Sequence, residues 1–258
     1  MIRTGVIADE ERLEQSSSVK SLGRAGERFW EGFWAPADVR FLLQENPLEL
    51  LLDAWPFLST ARPRFIWDIG CGEGRNLQTL ASLDSASELT GFDKSTNALT
   101  RVRESRRGVA RGVYLNLVSG DCKNIPASSG SVDLLLASDL LNHLPSLSEP
   151  LEEFARVLRP GGVLVCNPLS LNDPAFSFCT RAGLQQSPST FAIFPYPESE
   201  EWYIMNFADR RNLEQILCRD FDLVLPLEEK VRRDPPHAYP FRQEVHEHVY
   251  WQVVCRRR

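Results

Sequence analysis

The sequence has no paired cysteines, no long apolar run and no excess of basic charge. Each absence closes off a class of function. The six cysteines (Cys71, Cys122, Cys166, Cys179, Cys218 and Cys255) are scattered, with no CxxC pair. That pattern points away from a zinc site or a disulfide framework. Several sit in apolar runs, where cysteine behaves as a small hydrophobe, so they read as reduced thiols of a cytoplasmic protein with no metal. No apolar stretch approaches the roughly 18–20 residues that span a bilayer. The first residues are charged and Ser-rich and lack the apolar core of a secretory signal. The net charge of −6 weighs against nucleic-acid and anionic-membrane partners, because counterion release needs a basic face. The terminal Arg256-Arg257-Arg258 is too short to alter that balance.

What is present is a change of rhythm. An aromatic and leucine-rich region from Arg24 to Leu58 has apolar spacings of three and four, which predicts two or three short helices separated at Pro36 and Pro47 and closed by Pro56 and Pro63. From Phe65 onward short apolar strands alternate with helical stretches. The strands are Phe65 to Ile69, Glu88 to Phe92, Val113 to Val118, Val132 to Ala137 and Val163 to Cys166. The helices fall at about 76–83, 97–107 and 151–158, and Pro160-Gly161-Gly162 reads as a turn. This alternation predicts an α/β fold with a parallel, doubly wound sheet. The Pro-rich and aromatic residues 168–208 break the rhythm and read as a lid insertion, helical near 175–183. A helix at 209–219, a strand near Phe221 and a last strand from about His248 to Cys255 follow. The expectation is one domain over 1–258: a helical cap (1–60), a ligand-binding core (61–167), the lid (168–208) and a C-terminal part (209–258).

The loop Asp68-Ile69-Gly70-Cys71-Gly72-Glu73-Gly74 lies between the first strand and its helix. Glycine supplies the positive φ and close backbone approach that a tight turn around a ligand needs. The helix start beyond it offers free N–H groups to a ligand carboxylate, and Asp68 offers an anion to a ligand ammonium. A dinucleotide-binding loop would read GxGxxG. Here the third glycine falls on Arg75 in one register and Leu77 in the other, so that pattern fails; a purely structural turn remains open. Asp93, at the end of the second strand, suits ribose hydroxyls, each charge-assisted bond being worth roughly 1.5–3 kcal/mol. That would serve a nucleoside of several kinds, NAD included. Asp121 and the Cys122 amide, after the third strand, suit an adenine edge, with Ile125 near its face. Each aspartate is equally compatible with a turn.

The loop Asp68 to Gly74, Asp93, Gly120-Asp121, the run Ser131 to Ser138 and Leu158-Arg159-Pro160-Gly161-Gly162 together resemble the class I S-adenosylmethionine (SAM)-dependent methyltransferases, in that family's order and spacing. The likeness covers roughly Phe65 to Asn167. It implies a Rossmann-like sheet of seven strands with the last antiparallel, and SAM as cofactor. It also implies that Asp68, Gly70, Cys71, Gly72, Gly74, Asn76, Asp93, Lys94, Asp121, Cys122 and Ser138 surround that cofactor. Arg75-Asn76 is similar to a subset acting on small molecules. In Leu140 to Leu144 the resemblance places His143 near the cofactor.

Methyl transfer from a sulfonium mainly requires alignment. A hydroxyl or protonated nitrogen acceptor also benefits from a general base, for which His143 is the candidate; packing against the cofactor is its other reading. His246 and His248 share one side of a strand by alternation and read as surface histidines rather than metal ligands. Aromatic residues outside the sheet, Trp30, Trp34, Tyr196 and Tyr203, are candidate walls for a small aromatic or apolar acceptor. An amino-methyltransferase of DNA would show an Asn/Asp-Pro-Pro-aromatic stretch where this chain has Ser138-Asp139-Leu140-Leu141. The rival of another class is a protein that binds SAM without methylating.

Overall fold

The computed structural model describes residues 28–35, 49–83, 88–105, 114–182, 184–193, 202–234 and 246–258. Residues 28–34 form a helical segment, α1, and Glu49–Ala61 form α2. Both Pro36 and Pro47 lie outside the described residues. Pro56 does not close the cap as expected; it lies inside α2. Leu50, Leu51, Ala54 and Leu58 are buried on one face of α2. Pro56 and Leu52 face solvent, so water can serve the Leu52 carbonyl that loses its helical partner. Apolar burial offsets the proline penalty of about 3 kcal/mol.

The core alternates as its pattern requires: β1 (Phe65–Ile69), α3 (Arg75–Leu83), β2 (Glu88–Asp93), α4 (Thr96–Ser105), β3 (Tyr114–Ser119), β4 (Val132–Ala137), a 3-10 turn (Leu141–His143), α5 (Ser148–Val157) and β5 (Leu158–Cys166). β1 pairs in parallel with β2 on one side and β4 on the other; β2–β3 and β4–β5 are also parallel. Two buried clusters cover the two faces, one around Phe92, Leu135 and Phe154 and one around Leu50, Ile66 and Leu134.

The remainder is β6 (Leu169–Ser170), α6 (Pro174–Ala182), β7 (Leu184–Ser187), β8 (Thr190–Ile193), β9 (Tyr203–Ala208), α7 (Arg210–Leu217), β10 (Phe221–Leu223), β11 (Glu228–Asp234) and β12 (His246–Arg257). β12 runs antiparallel to β5 and to β10. Three sequence expectations change here. The described residues form a twelve-stranded mixed sheet, not seven strands. Residues 168–208, expected as a lid insertion, hold strands of the same sheet: β9 joins it beside β6, and β8 and β7 extend it. The cause is burial: every residue of β9 is buried, and Tyr203, Met205 and Phe207 join a third cluster with Phe29, Phe191 and Tyr250. Pro160-Gly161-Gly162, read as a turn, belongs to β5. There Gly161 takes a positive φ of 79° and the register with β4 shifts. Asp209 caps α7, accepting the Asn212 amide at 2.9 Å. Among the described residues no helix is long and apolar enough to cross a membrane.

Candidate functional site

A sheet ordered β3-β2-β1-β4 with all four strands parallel puts their carboxyl ends in one row. Neighbouring strands lie roughly 4.8 Å apart, so four ends span about 15 Å. The chain leaves β1 toward β2 on one side and reaches β4 on the other, which makes this edge a topological switch point, where open α/β sheets hold ligands. Along it stand Asp121, Asp93, the loop 68–74 and Ser138.

The loop is locked by the sheet. Gly70, Gly72 and Gly74 have φ of 71°, 53° and 87°, the left-handed region that favours glycine. The amides of Gly70 and Cys71 donate to the Phe92 carbonyl at 2.7 and 3.1 Å, and the Gly74 amide to the Cys71 carbonyl at 2.9 Å. Asp93 holds the loop from below: its carboxylate accepts the Gly72 amide and the Ser95 amide, each at 2.8 Å. Burial pushes Asp93 up, and these backbone donors work against that. Burial, reinforced by the Asp93 and Asp68 carboxylates, pushes the Cys71 thiol up, so Cys71 is a packing residue in this loop.

Several polar atoms at this edge are buried with nothing to bond. Both carboxylate oxygens of Asp68, Oδ1 of Asn76 and Oγ of Ser138 have no hydrogen-bond partner. Burial raises Asp68 to about 8; Arg75 pulls it down and Asp93 pushes it further up. Unsatisfied buried groups cost about 1–3 kcal/mol each and call for a reason. Here they line one edge, next to a loop open to positive φ, and they complement a ligand bearing an ammonium and hydroxyls. The residues therefore fit the amino-acid end of SAM. The adenine end is less exclusive: Asp121 already accepts from Lys94 Nζ and the Lys123 amide, both at 3.0 Å, and Cys122 and Ile125 are buried beside it.

Next to Ser138, Asp139 has a positive φ of 54° and is the hub of an ion cluster that the sequence did not reveal. Arg75 Nη2 lies 3.2 Å from Oδ2, and Arg232 Nη1 lies 3.1 and 3.0 Å from the two oxygens. Asn167 closes the ring, donating to Asp139 Oδ1 at 2.8 Å and accepting its amide at 2.7 Å. Burial acts to raise this carboxyl, but Arg232 and then Arg75 outweigh it and hold it below the usual range. Arg232 comes from β11, a strand the sequence pattern did not separate from its surroundings.

His143 sits on the 3-10 turn with Nδ1 3.1 Å from the Ile204 carbonyl and Nε2 3.0 Å from Asn142 Nδ2. A carbonyl only accepts, so Nδ1 carries the proton and Nε2 accepts from the amide. Burial lowers this imidazole to about 4. It is neutral at neutral pH, with both nitrogens engaged. Trp30 lies 4.6 Å from His143 and Tyr203 6.2 Å, between ring centroids. Trp34 stands over the loop: a Cβ on Gly72 would come within 3.0 Å of its ring. Arg101 fixes Trp34 by donating to its carbonyl at 2.8 Å. Helix α1 thus reaches both the loop and His143. Tyr196, the fourth expected wall residue, lies outside the described residues. Among the described residues no cluster of His, Cys, Asp or Glu is placed to hold a metal ion.

A parallel β3-β2-β1-β4-β5 core, an antiparallel strand beside β5 and a glycine loop at the switch point define a class I methyltransferase-type α/β fold. Residues 67–166 match the family model described as a methyltransferase domain. A SAM-dependent methyltransferase from Methanosarcina mazei superposes with a TM-score of 0.63 at 18% identity, covering 78% of this chain and 97% of that one. The middle of the chain is thus similar to a methyltransferase domain, and the chain shares the fold of a SAM-dependent methyltransferase. It is 28% identical over 160 residues to a malonyl-[acyl-carrier protein] O-methyltransferase of Xylella fastidiosa (strain M23), covering 62% of this chain and 52% of that protein. It is 31% identical over 99 residues to a demethylmenaquinone methyltransferase of Desulfitobacterium hafniense (strain Y51), covering 38% and 39%. The matches thus span about half or less of these two relatives.

Proposed function

We propose that the protein transfers the methyl group of SAM to an O, N, S or C nucleophile of a small aromatic or apolar metabolite. SAM supplies an electrophilic methyl carbon on a sulfonium. The observation that carries the reading is the buried, partnerless Asp68 carboxyl beside the glycine loop. Asp68 would hold the ligand ammonium and Asn76 and Ser138 neighbouring polar atoms. The helix start after Gly74 would face the carboxylate, with Gly70, Cys71 and Gly72 lining the turn. Asp93 would take the ribose while keeping the loop in shape, and Lys94, Asp121 and Cys122 would border the adenine. Trp30, Trp34 and Tyr203, with Tyr196, would wall the acceptor and exclude water. His143 contributes as a neutral wall residue, because its lone pair is already occupied by the Asn142 amide and a weakly basic imidazole has little proton-transfer driving force.

The test is transfer of label from methyl-labelled SAM into a pool of small aromatic acceptors, alongside calorimetric SAM binding. Label should pass to a small molecule, and Asp93→Ala should bind SAM at least tenfold more weakly. Tight SAM binding with no transfer to any fraction would refute methyl transfer.

A further inference from the structure

We propose that the side-chain oxygen of Asn142 binds the methyl acceptor, accepting a hydrogen bond from a neutral O–H or N–H group on it. This rests on the methyl-transfer reading above and narrows its acceptor to compounds that carry such a donor. Asn142 lies on the 3-10 turn after β4 and is 6% exposed. Its Oδ1 is buried with no hydrogen-bond partner.

The neighbouring imidazole fixes which end of the amide is orphaned. His143 Nδ1 donates to the Ile204 carbonyl, so its Nε2 can only accept. The Asn142 atom 3.0 Å from Nε2 is therefore the NH2 group, Nδ2. Turning the amide over would set two lone pairs against each other. The carbonyl end is thereby held in one orientation, shut off from bulk water and from every protein donor. A buried acceptor in that state costs free energy until a donor arrives, and it calls for a reason.

The turn that carries Asn142 is wedged between the two parts of the site. On one side Leu140 packs on the glycine loop: a Cβ on Gly70 would come within 3.0 Å of Leu140 Cδ1. On the other side His143 lies 4.6 Å from Trp30 between ring centroids. Trp30 joins Trp34 through Phe33, and Trp34 covers Gly72. Asn142 thus stands between the cofactor loop and the aromatic residues assigned to the acceptor. Ser138, whose orphaned Oγ is assigned to the cofactor, leaves β4 four residues earlier.

Charge selects the kind of donor. His143, beside Asn142, is lowered to about 4 and is neutral at neutral pH. Asp139 is already engaged by Arg75, Arg232 and Asn167. A carboxylate or phenolate has no hydrogen to give and would meet the partial negative charge of Oδ1. An ammonium would gain more from an anion than from an amide oxygen. A neutral hydroxyl or amine is the complementary group.

The test uses matched aromatic pairs in which fluorine, similar in size and unable to donate, replaces the donor: phenol with fluorobenzene, and 1-naphthol with 1-fluoronaphthalene. Binding is measured by NMR on protein saturated with S-adenosylhomocysteine (SAM without its methyl group). In the wild type the hydroxyl member of at least one pair should bind at least about tenfold more tightly than its fluoro partner. Asn142→Leu, which nearly keeps the volume and removes the oxygen, should bring that ratio close to one and leave S-adenosylhomocysteine affinity unchanged. Asn142→Ala carries the same expectation and serves if leucine does not fit the turn. Wild-type protein that binds both members of each pair equally, or no member of either pair, overturns the proposal. So do variants that keep the preference. A tenfold loss of S-adenosylhomocysteine affinity in both variants also overturns it, because Asn142 would then serve the cofactor. Failure of the wild type to bind SAM in calorimetry would instead overturn the underlying reading of the loop.

Discussion

Asp68 illustrates how a single residue stores binding energy. A carboxyl raised to about 8 in the folded protein, from an ordinary 3.8, keeps a proton that the unfolded chain has lost. Between about pH 4 and pH 8 the folded state therefore binds more protons, and its stability falls as pH rises through that window. An ammonium placed against Asp68 reverses this by favouring the anion. SAM binding at pH 6.5 should release close to one proton, seen as a dependence of calorimetric heat on buffer ionisation enthalpy. Asp68→Asn should abolish that release and weaken SAM binding at least tenfold, while stabilising the ligand-free protein at pH 8. Binding heats independent of buffer would mean that Asp68 does not meet the ammonium. The aspartate itself was legible in the sequence, as the last polar residue before the glycines. Its isolation was not, because burial depends on distant segments such as the β4 end, which pairs beside it.

At the scale of elements, α1 and the β11–β12 ladder frame the site, and both work through close contacts. Gly72 combines a positive φ with a ring 3.0 Å from where a Cβ would stand. Gly72→Ala should cost about 1–2 kcal/mol for the left-handed backbone alone, read from denaturant midpoints. Adding Trp34→Phe should recover the packing part of the loss but not the backbone part. On the other side, Asp139 is held below the usual carboxylate range by Arg232 and Arg75. Such a group stabilises the fold above about pH 4, and the contribution fades as pH falls below it. Arg232→Ala should raise the midpoint pH of acid unfolding, with the gap in melting temperature to wild type closing under pH 4. A gap that persists unchanged at pH 3 would assign the loss to packing. Neither contact was legible in the sequence, since Trp34–Gly72 and Arg232–Asp139 join segments 38 and 93 positions apart. By contrast, β1, β4 and α7 were legible to within a residue or two. Alternating burial and a capping aspartate are local signals.

For the whole molecule, the sequence carried the parallel core and not its extension. Residues 168–208 read as a lid because their prolines interrupt any period, yet β9 is wholly buried and paired on both sides. A strand with both faces covered shows a continuous apolar run rather than alternation, and Tyr203 to Ala208 looked like part of an aromatic loop. That extension begins with β6, which pairs with β12. The switch point itself followed from topology alone: the order of β3, β2, β1 and β4 gathers Asp121, Asp93, Asp68 and Ser138 on one edge. The most direct test of the central claim is a crystal structure with S-adenosylhomocysteine, the demethylated product of SAM. The account expects its amino group within hydrogen-bond distance of Asp68 and its ribose hydroxyls at Asp93. A complex in which Asp68 stays without a partner, or in which the nucleoside binds away from the loop 68–74, would contradict it.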